Sequence, residues 1–178
     1  MAILTRRLPE FRNIIPVYAV IAFVLYMWSF FLFSWILPSW VNFMSVGELF
    51  AAFSYSLATT LLESLGFLLL LLLLSILLPP AWLRDLFVVR GTLISLAVLG
   101  VVLLRAYLNT THFPYPKGPG ALGAAAFLLA LLLTGLSGRA NWLRRFAAWL
   151  ADRLIVFLYI LVPLTVIGLV TVLVRNVF

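Results

Sequence analysis

The chain has no cysteine, one histidine and only five carboxylates among its 178 residues. The missing thiols exclude disulfides, thiolate metal sites and a cysteine nucleophile. A single histidine, His112, excludes histidine-clustered metal centres, and for a catalytic triad on its side of the membrane only Glu48 and Glu63 are available as acids, neither with a nucleophile motif. Glu10, Asp85 and Asp152 stand beside arginines, so charge balancing accounts for them, and only Glu48 and Glu63 remain. These absences point away from an enzyme and call for no metal and no cofactor.

Charge is scarce as well: 10% of residues are charged and 66% hydrophobic, against about 25% and 45–50% in soluble domains. Mean hydropathy is +1.23. No water-soluble fold of this length hides that much apolar surface, so the solvent is lipid and length limits the number of spans. At about 20 residues per span the ceiling is five or six, with nothing left for a separate soluble domain. Residues 1–178 therefore read as a single membrane-embedded all-α domain: a polytopic transmembrane helical bundle with five spans plus an amphipathic interfacial helix.

The apolar runs place the spans at about residues 14–37, 50–78, 86–108, 119–136 and 154–174. The first follows Arg6, Arg7 and Arg12, is rich in bulky aromatics and lacks a small-residue cleavage site, which describes an uncleaved signal anchor rather than a signal peptide. The second opens at Ser45-x-x-Glu48, a capping box, and runs to Pro79-Pro80. It is longer than the hydrocarbon layer, so its first turns protrude, tilt or lie at the interface. A turn-rich loop from Asn109 to Gly118 precedes the short fourth run. Pro163 sits in the middle of the fifth and predicts a kink.

The net charge of +7 is not gathered into a patch for nucleic acid. Its arginines cluster at the ends of apolar runs, as topology determinants and head-group contacts do. With five spans, nine Arg fall on the side of the N-terminus (Arg6, Arg7, Arg12, Arg84, Arg90, Arg139, Arg144, Arg145 and Arg153) and three basic residues on the other (Arg105, Lys117 and Arg175). The positive-inside rule puts the N-terminus in the cytoplasm and the C-terminus outside, in a bacterial-type plasma membrane.

Three sets of residues are candidates for function. Glu63 is a carboxylate within an apolar run, a costly placement that calls for a partner or a task. Counted from the helix ends, Glu63 and Arg105 come to within about a turn of the same depth, roughly 24 and 28 Å from the cytoplasmic boundary. They are expected to form an intramembrane ion pair, whether structural or ion-handling. Glu48, Ala52, Ser56, Thr59, Glu63 and Gly66 share one face of the second helix. Ser56, Thr59 and Gly66, with Gly120, Gly123 and Ala124 on the fourth, form the candidate helix-packing seam. The segment 139–153 reads as an amphipathic interfacial helix or a basic extension of the fifth span, and in it Trp142, Arg144, Arg145, Phe146 and Trp149 are the expected lipid contacts. The expected partners are the lipid bilayer and other membrane proteins or further copies of the chain. The reading that follows is a small scaffold or accessory subunit binding membrane proteins or lipids, with a transporter or channel component using the Glu63/Arg105 pair as the alternative.

Orientation is open to direct measurement. Alkaline phosphatase fused after residue 42 is expected to be active and fused after residue 85 inactive; the reverse pattern contradicts the arginine count.

Overall fold

The computed structural model describes residues 8–79, 82, 83, 85–110 and 119–177. Arg6, Arg7, Arg84, His112, Lys117 and the rest of the loop from 111 to 118 lie outside them. The described residues form five helices and no strand: α1 (Phe11–Trp40), α2 (Val46–Leu77), α3 (Phe87–Thr110), α4 (Pro119–Ser137) and α5 (Asn141–Val177). Four of them, α1, α2, α3 and α5, are long and apolar enough to cross a membrane, while α4 is a shorter apolar helix.

Local chemistry sets the helix ends. At the start of α2 the Ser45 hydroxyl accepts from the Glu48 backbone N–H at 3.4 Å, and the Glu48 carboxylate accepts from the Ser45 backbone N–H at 2.8 Å, completing the capping box. Those bonds, first from the backbone of Ser45 and then from its hydroxyl, hold the Glu48 carboxyl below its ordinary value of 4.5. This stabilisation is complete above the unfolded value and is lost as pH falls through the lowered one. Glu48 lies ahead of the apolar run that begins near residue 50. At the other end Leu78 is already extended and Pro79 follows, which stops the helix.

Of the two readings of the basic, aromatic segment 139–153, a separate interfacial helix or a basic extension of the next span, the structure has the second: α5 runs unbroken for 37 residues, from Asn141 to Val177. Its buried row Leu143, Ala147, Ala151 and Leu154 crosses the supposed boundary with no glycine or proline to interrupt it. Pro163 lies inside α5 without ending it. It removes a single N–H, and its ring lies on the exposed side of the helix.

The bundle is organised around α1, which packs on α2, α3 and α5. Residues Val17 and Ala19 to Ala22 are sealed from solvent on several sides at once. The α5 helix also packs on α2 and α3, and α4 lies against α3. By contrast α2 and α3, though consecutive, meet mainly near their connection, where Leu71 joins Leu83 and Phe87 in one apolar cluster. Higher up, α1 stands between them.

Lipid solvates apolar side chains as well as a protein core does, so helix association here rests on close approach and hydrogen bonds. Small residues supply the approach. A Cβ on Gly91 would stand 3.2 Å from the Val17 methyls, and one on Gly168 would stand 3.3 Å from Leu57 Cδ1 and 3.5 Å from Ser54 Cα. Hydroxyls supply the bonds. Thr165 donates to its own Leu161 carbonyl at 2.7 Å, so the Tyr26 hydroxyl, 2.6 Å away, is the donor to Thr165 and ties α1 to α5. Tyr18 and Ser64 repeat the arrangement between α1 and α2 at 3.4 Å, with Ser64 donating to Leu61.

Gly168→Leu is expected to force α2 from α5 and to lower the thermal unfolding midpoint in detergent. Gly66→Leu, where nothing lies within 4 Å of an added Cβ, should leave it unchanged; equal effects would contradict this packing.

Candidate functional site

The seam of α2 lies about one residue around the helix from where the spacing of small residues put it. Its buried positions are Ala51, Ser54, Leu57, Thr60, Ser64, Leu71 and Ser75. Of the expected seam, only Ser56 engages a neighbour, bonding Ser29 of α1 at 2.7 Å. Thr59 and Gly66 are exposed, and so is Glu63 between them. On α4, Gly123 and Ala124 are exposed too, whereas Ala126, Ala130 and Ser137 are buried. The surroundings of Gly120 lie outside the described residues. A helix one residue out of phase is rotated by about 100°, and both phases of α2 carry small hydroxyl residues, so spacing alone could not choose between them.

Glu63 and Arg105 do not pair. Among the described residues neither makes a hydrogen bond or ion pair. Leu57 sits opposite Gly168 on antiparallel α2 and α5, so Glu63, six residues further along α2, lies at the level of Val162. That is the middle of the apolar stretch between Arg153 and Arg175. Arg105 lies higher. Its α3 packs on α1 so that Tyr107 meets Phe31, with ring centroids 6.4 Å apart, and Phe31 is five residues beyond the Tyr26 that bonds Thr165. Arg105 is thus level with about residue 168 of α5, some 9 Å above Glu63 at ~1.5 Å per residue. Counting each helix from its own end missed this because α2 and α3 do not end at one height. Nor do the two helices pack along that stretch.

Arg105 instead lines a groove of about 540 Å3 between α3, α4 and the last turns of α2. Leu74 and Leu78 of α2, Ile94 and Val98 of α3, and Ala126 and Ala130 of α4 line its length. The signal for this groove was present in α4, where Gly123, Ala126, Ala130 and Thr134 recur every three or four residues, but the reading weighted the glycines nearer the helix start.

The basic end is a structural knot with a lipid-facing rim. Arg144 donates to the carbonyls of Ser137 and of Gly138, the latter at 3.2 Å, and so caps the C-terminus of α4. Arg90 reaches the Trp82 carbonyl at 2.6 Å and the Ser137 hydroxyl at 3.5 Å. These two side chains join α3, α4, α5 and the segment after α2. Trp142, Arg145, Phe146 and Trp149 point outward instead, with the Phe146 and Trp149 rings 6.4 Å apart.

Among the described residues several interior hydroxyls donate within their own helices, Ser54 to Phe50, Thr60 to Ser56, Ser95 to Gly91 and Thr134 to Ala130, while the buried Ser75 and Thr92 hydroxyls have no hydrogen-bond partner. No group of three or more His, Cys, Asp or Glu side chains is gathered among the described residues. Compared with protein-family models, curated proteins and solved structures, the chain matches none.

Arg144 and Arg145, equivalent in the sequence pattern, are expected to separate on mutation. Arg144→Met should speed amide exchange over residues 135–141 and cost about 1.5–3 kcal/mol, the worth of hydrogen bonds to a charged group. Arg145→Met should leave both quantities near wild type.

Proposed function

We propose that this chain is a small scaffold or accessory subunit of a membrane assembly. It crosses the bilayer five times, with its N-terminus in the cytoplasm, and binds a partner membrane protein through the exposed flank of α2. One observation carries the reading: Glu63 stands at mid-span on a surface of its own helix that none of the other described residues covers. A carboxylate facing hydrocarbon costs several kcal/mol, and residues of this kind within spans are nearly always met by protein or water. Beside it Thr59 and Gly66, one turn to either side, leave room for another helix to come close. The surrounding positions, Leu62, Leu65, Leu69 and Leu70, are exposed leucines suited to lipid.

Support for five spans comes from α4, which at 19 residues is ~28 Å long against about 30 Å of hydrocarbon. Support for the orientation comes from the arginines. Arg12, Arg90, Arg144, Arg145 and Arg153 sit toward one end of the bundle, and Arg175 closes α5 at the other. The outward Trp142, Phe146 and Trp149 are placed to hold the basic end at the head-group level. A partner suited to Glu63 is a transmembrane helix with a cationic or hydrogen-bond-donating side chain at mid-span.

The test uses a labelled polyleucine transmembrane peptide carrying one central lysine, mixed with the full-length protein in phosphatidylcholine vesicles and read by energy transfer. The lysine peptide is expected to associate more tightly than its all-leucine version by roughly five- to thirtyfold, the range given by an interhelical polar contact of about 1–2 kcal/mol. Glu63→Gln should reduce that preference, and Glu63→Lys should transfer it to a central-glutamate peptide. Equal association of the lysine and all-leucine peptides would count against this face as a docking surface.

A further inference from the structure

The groove ending on Arg105 carries a second inference, independent of the α2 flank. Its volume, about 540 Å3, falls within the ~300–1,000 Å3 of small-molecule sites. From Ile94 to Arg105 on α3, and from Gly123 to Thr134 on α4, its walls extend eleven residues, or ~16 Å. That is the reach of one extended acyl chain, running from Arg105 down past mid-span toward the basic end, and about half of the ~30 Å hydrocarbon thickness. One wall is cut back to Gly123, Ala126 and Ala130, and the lower end meets Trp82 and Leu83. The shape is that of a slot for one extended chain of methylenes.

The upper mouth differs in kind from the rest. Among the described residues Arg105 is the one charged residue lining the groove, it is half-buried, and it has no hydrogen-bond or ion-pair partner. It lies about 10 Å below the level of Arg175, by ~1.5 Å per residue, close enough for a long side chain to reach up to the head groups. A guanidinium there presents a planar fork of donors that matches a phosphate, and the membrane itself supplies phosphates at that height.

We propose that this groove is a binding site for one anionic glycerophospholipid of the leaflet on the Arg105 side. An acyl chain lies along α3 and α4 between Ala126, Ala130 and Ile94, and the phosphate is held by Arg105. Each methylene removed from water or loosely packed lipid adds contact with the aliphatic walls, while Arg105 selects the head group. The positions of Thr134 and Trp82 at the lower end set the length of chain that fits.

The experiment measures binding of pyrene-labelled phosphatidylglycerol and phosphatidylcholine to the purified full-length protein in detergent. Phosphatidylglycerol is expected to bind about fivefold more tightly, the effect of one basic contact with an anionic lipid. Arg105→Gln should abolish that preference while leaving chain binding, and Arg105→Lys should restore part of it. Ala130→Trp, which fills the slot, should abolish binding of both lipids, whereas Val170→Trp on the exposed side of α5 should abolish neither. Soluble glycerol phosphate at the same concentration should not displace the lipid; displacement would assign the site to free phosphate and overturn the proposal. A head-group preference that survives Arg105→Gln also overturns it. So does lipid binding unchanged in Ala130→Trp, a result that would leave the groove to a protein partner. Helix content by circular dichroism confirms that each variant is folded, and Arg105→Gln decides alone if Ala130→Trp does not fold.

Discussion

Close approach of helix backbones at a few small residues is the constraint on which the rest of this structure depends. In lipid there is little to gain from hiding one leucine behind another, and this chain has leucines on nearly every face of α2. What distinguishes one arrangement from another is where backbones can come near. Gly91 lets α3 onto Val17, Gly168 lets α5 onto Leu57, and Ala147 and Ala151 let the lower part of α5 lie flat on its neighbours. Tyr26 and Thr165 then add a buried hydrogen bond at a height where water cannot compete for either hydroxyl. Each contact involves α1, or α5 beside it, and this makes that pair the axis of the bundle.

An axis of this kind decides which surfaces are left over. With α1 packed between them, α2 and α3 touch near their connection and part above it. Glu63 and Arg105 are stranded on either side of that divergence. The consequence for Glu63 is exposure at mid-span; for Arg105 it is a place at the mouth of an apolar groove. Neither placement is stable in isolation, because a charge in hydrocarbon is compensated only by a partner, by water or by reaching the interface. Arg105 is near enough to the head groups for the last of these, and Glu63 is not.

Helix existence and extent were legible in the sequence, because runs of twenty apolar residues bounded by arginine, proline or a capping box have few alternatives. The Ser45/Glu48 box placed the start of α2 within a residue or two, and the second-to-third connection was marked by Pro79-Pro80. Rotation was not legible. In a helix where Leu62, Leu65, Leu69 and Leu70 face lipid while Leu57 and Leu71 face protein, apolar periodicity carries no phase. Small polar residues were the only remaining guide, and Ser54, Thr60 and Ser64 competed with Ser56 and Thr59. Relative height was hidden for a different reason. It is set by contacts such as Leu57 with Gly168 and Tyr107 with Phe31, which belong to no single helix. The continuity of α5 was left as one of two readings because Asp152 and Arg153 look like a boundary in composition, while the buried row that runs through them is made of alanine and leucine in both halves. Glu63 stood out in the sequence for the cost of its position rather than for any pattern around it.

The leftover charges are not scattered at random around the bundle. Glu63, Leu70 and Leu74 are spaced seven and four residues apart and so lie along one row of α2, and Leu74 lines the groove that ends on Arg105. The carboxylate flank and the groove therefore adjoin along the line where α2 and α3 part. The exposed side of α5 is different: between Arg153 and Arg175 its exposed positions, including Val156, Ile160, Val162, Ile167 and Val170, carry no charge at all. A protein surrounded evenly by lipid gains nothing by such asymmetry, since the energetic cost of an intramembrane charge does not depend on which side bears it. A protein with one working side gains a great deal, because a helix docked at Glu63 would stand beside whatever fills the groove, and the two occupants would cover each other's exposed edges. On this geometry a lipid in the groove and a partner helix on α2 are neighbours, and binding of either changes the surface that the other meets.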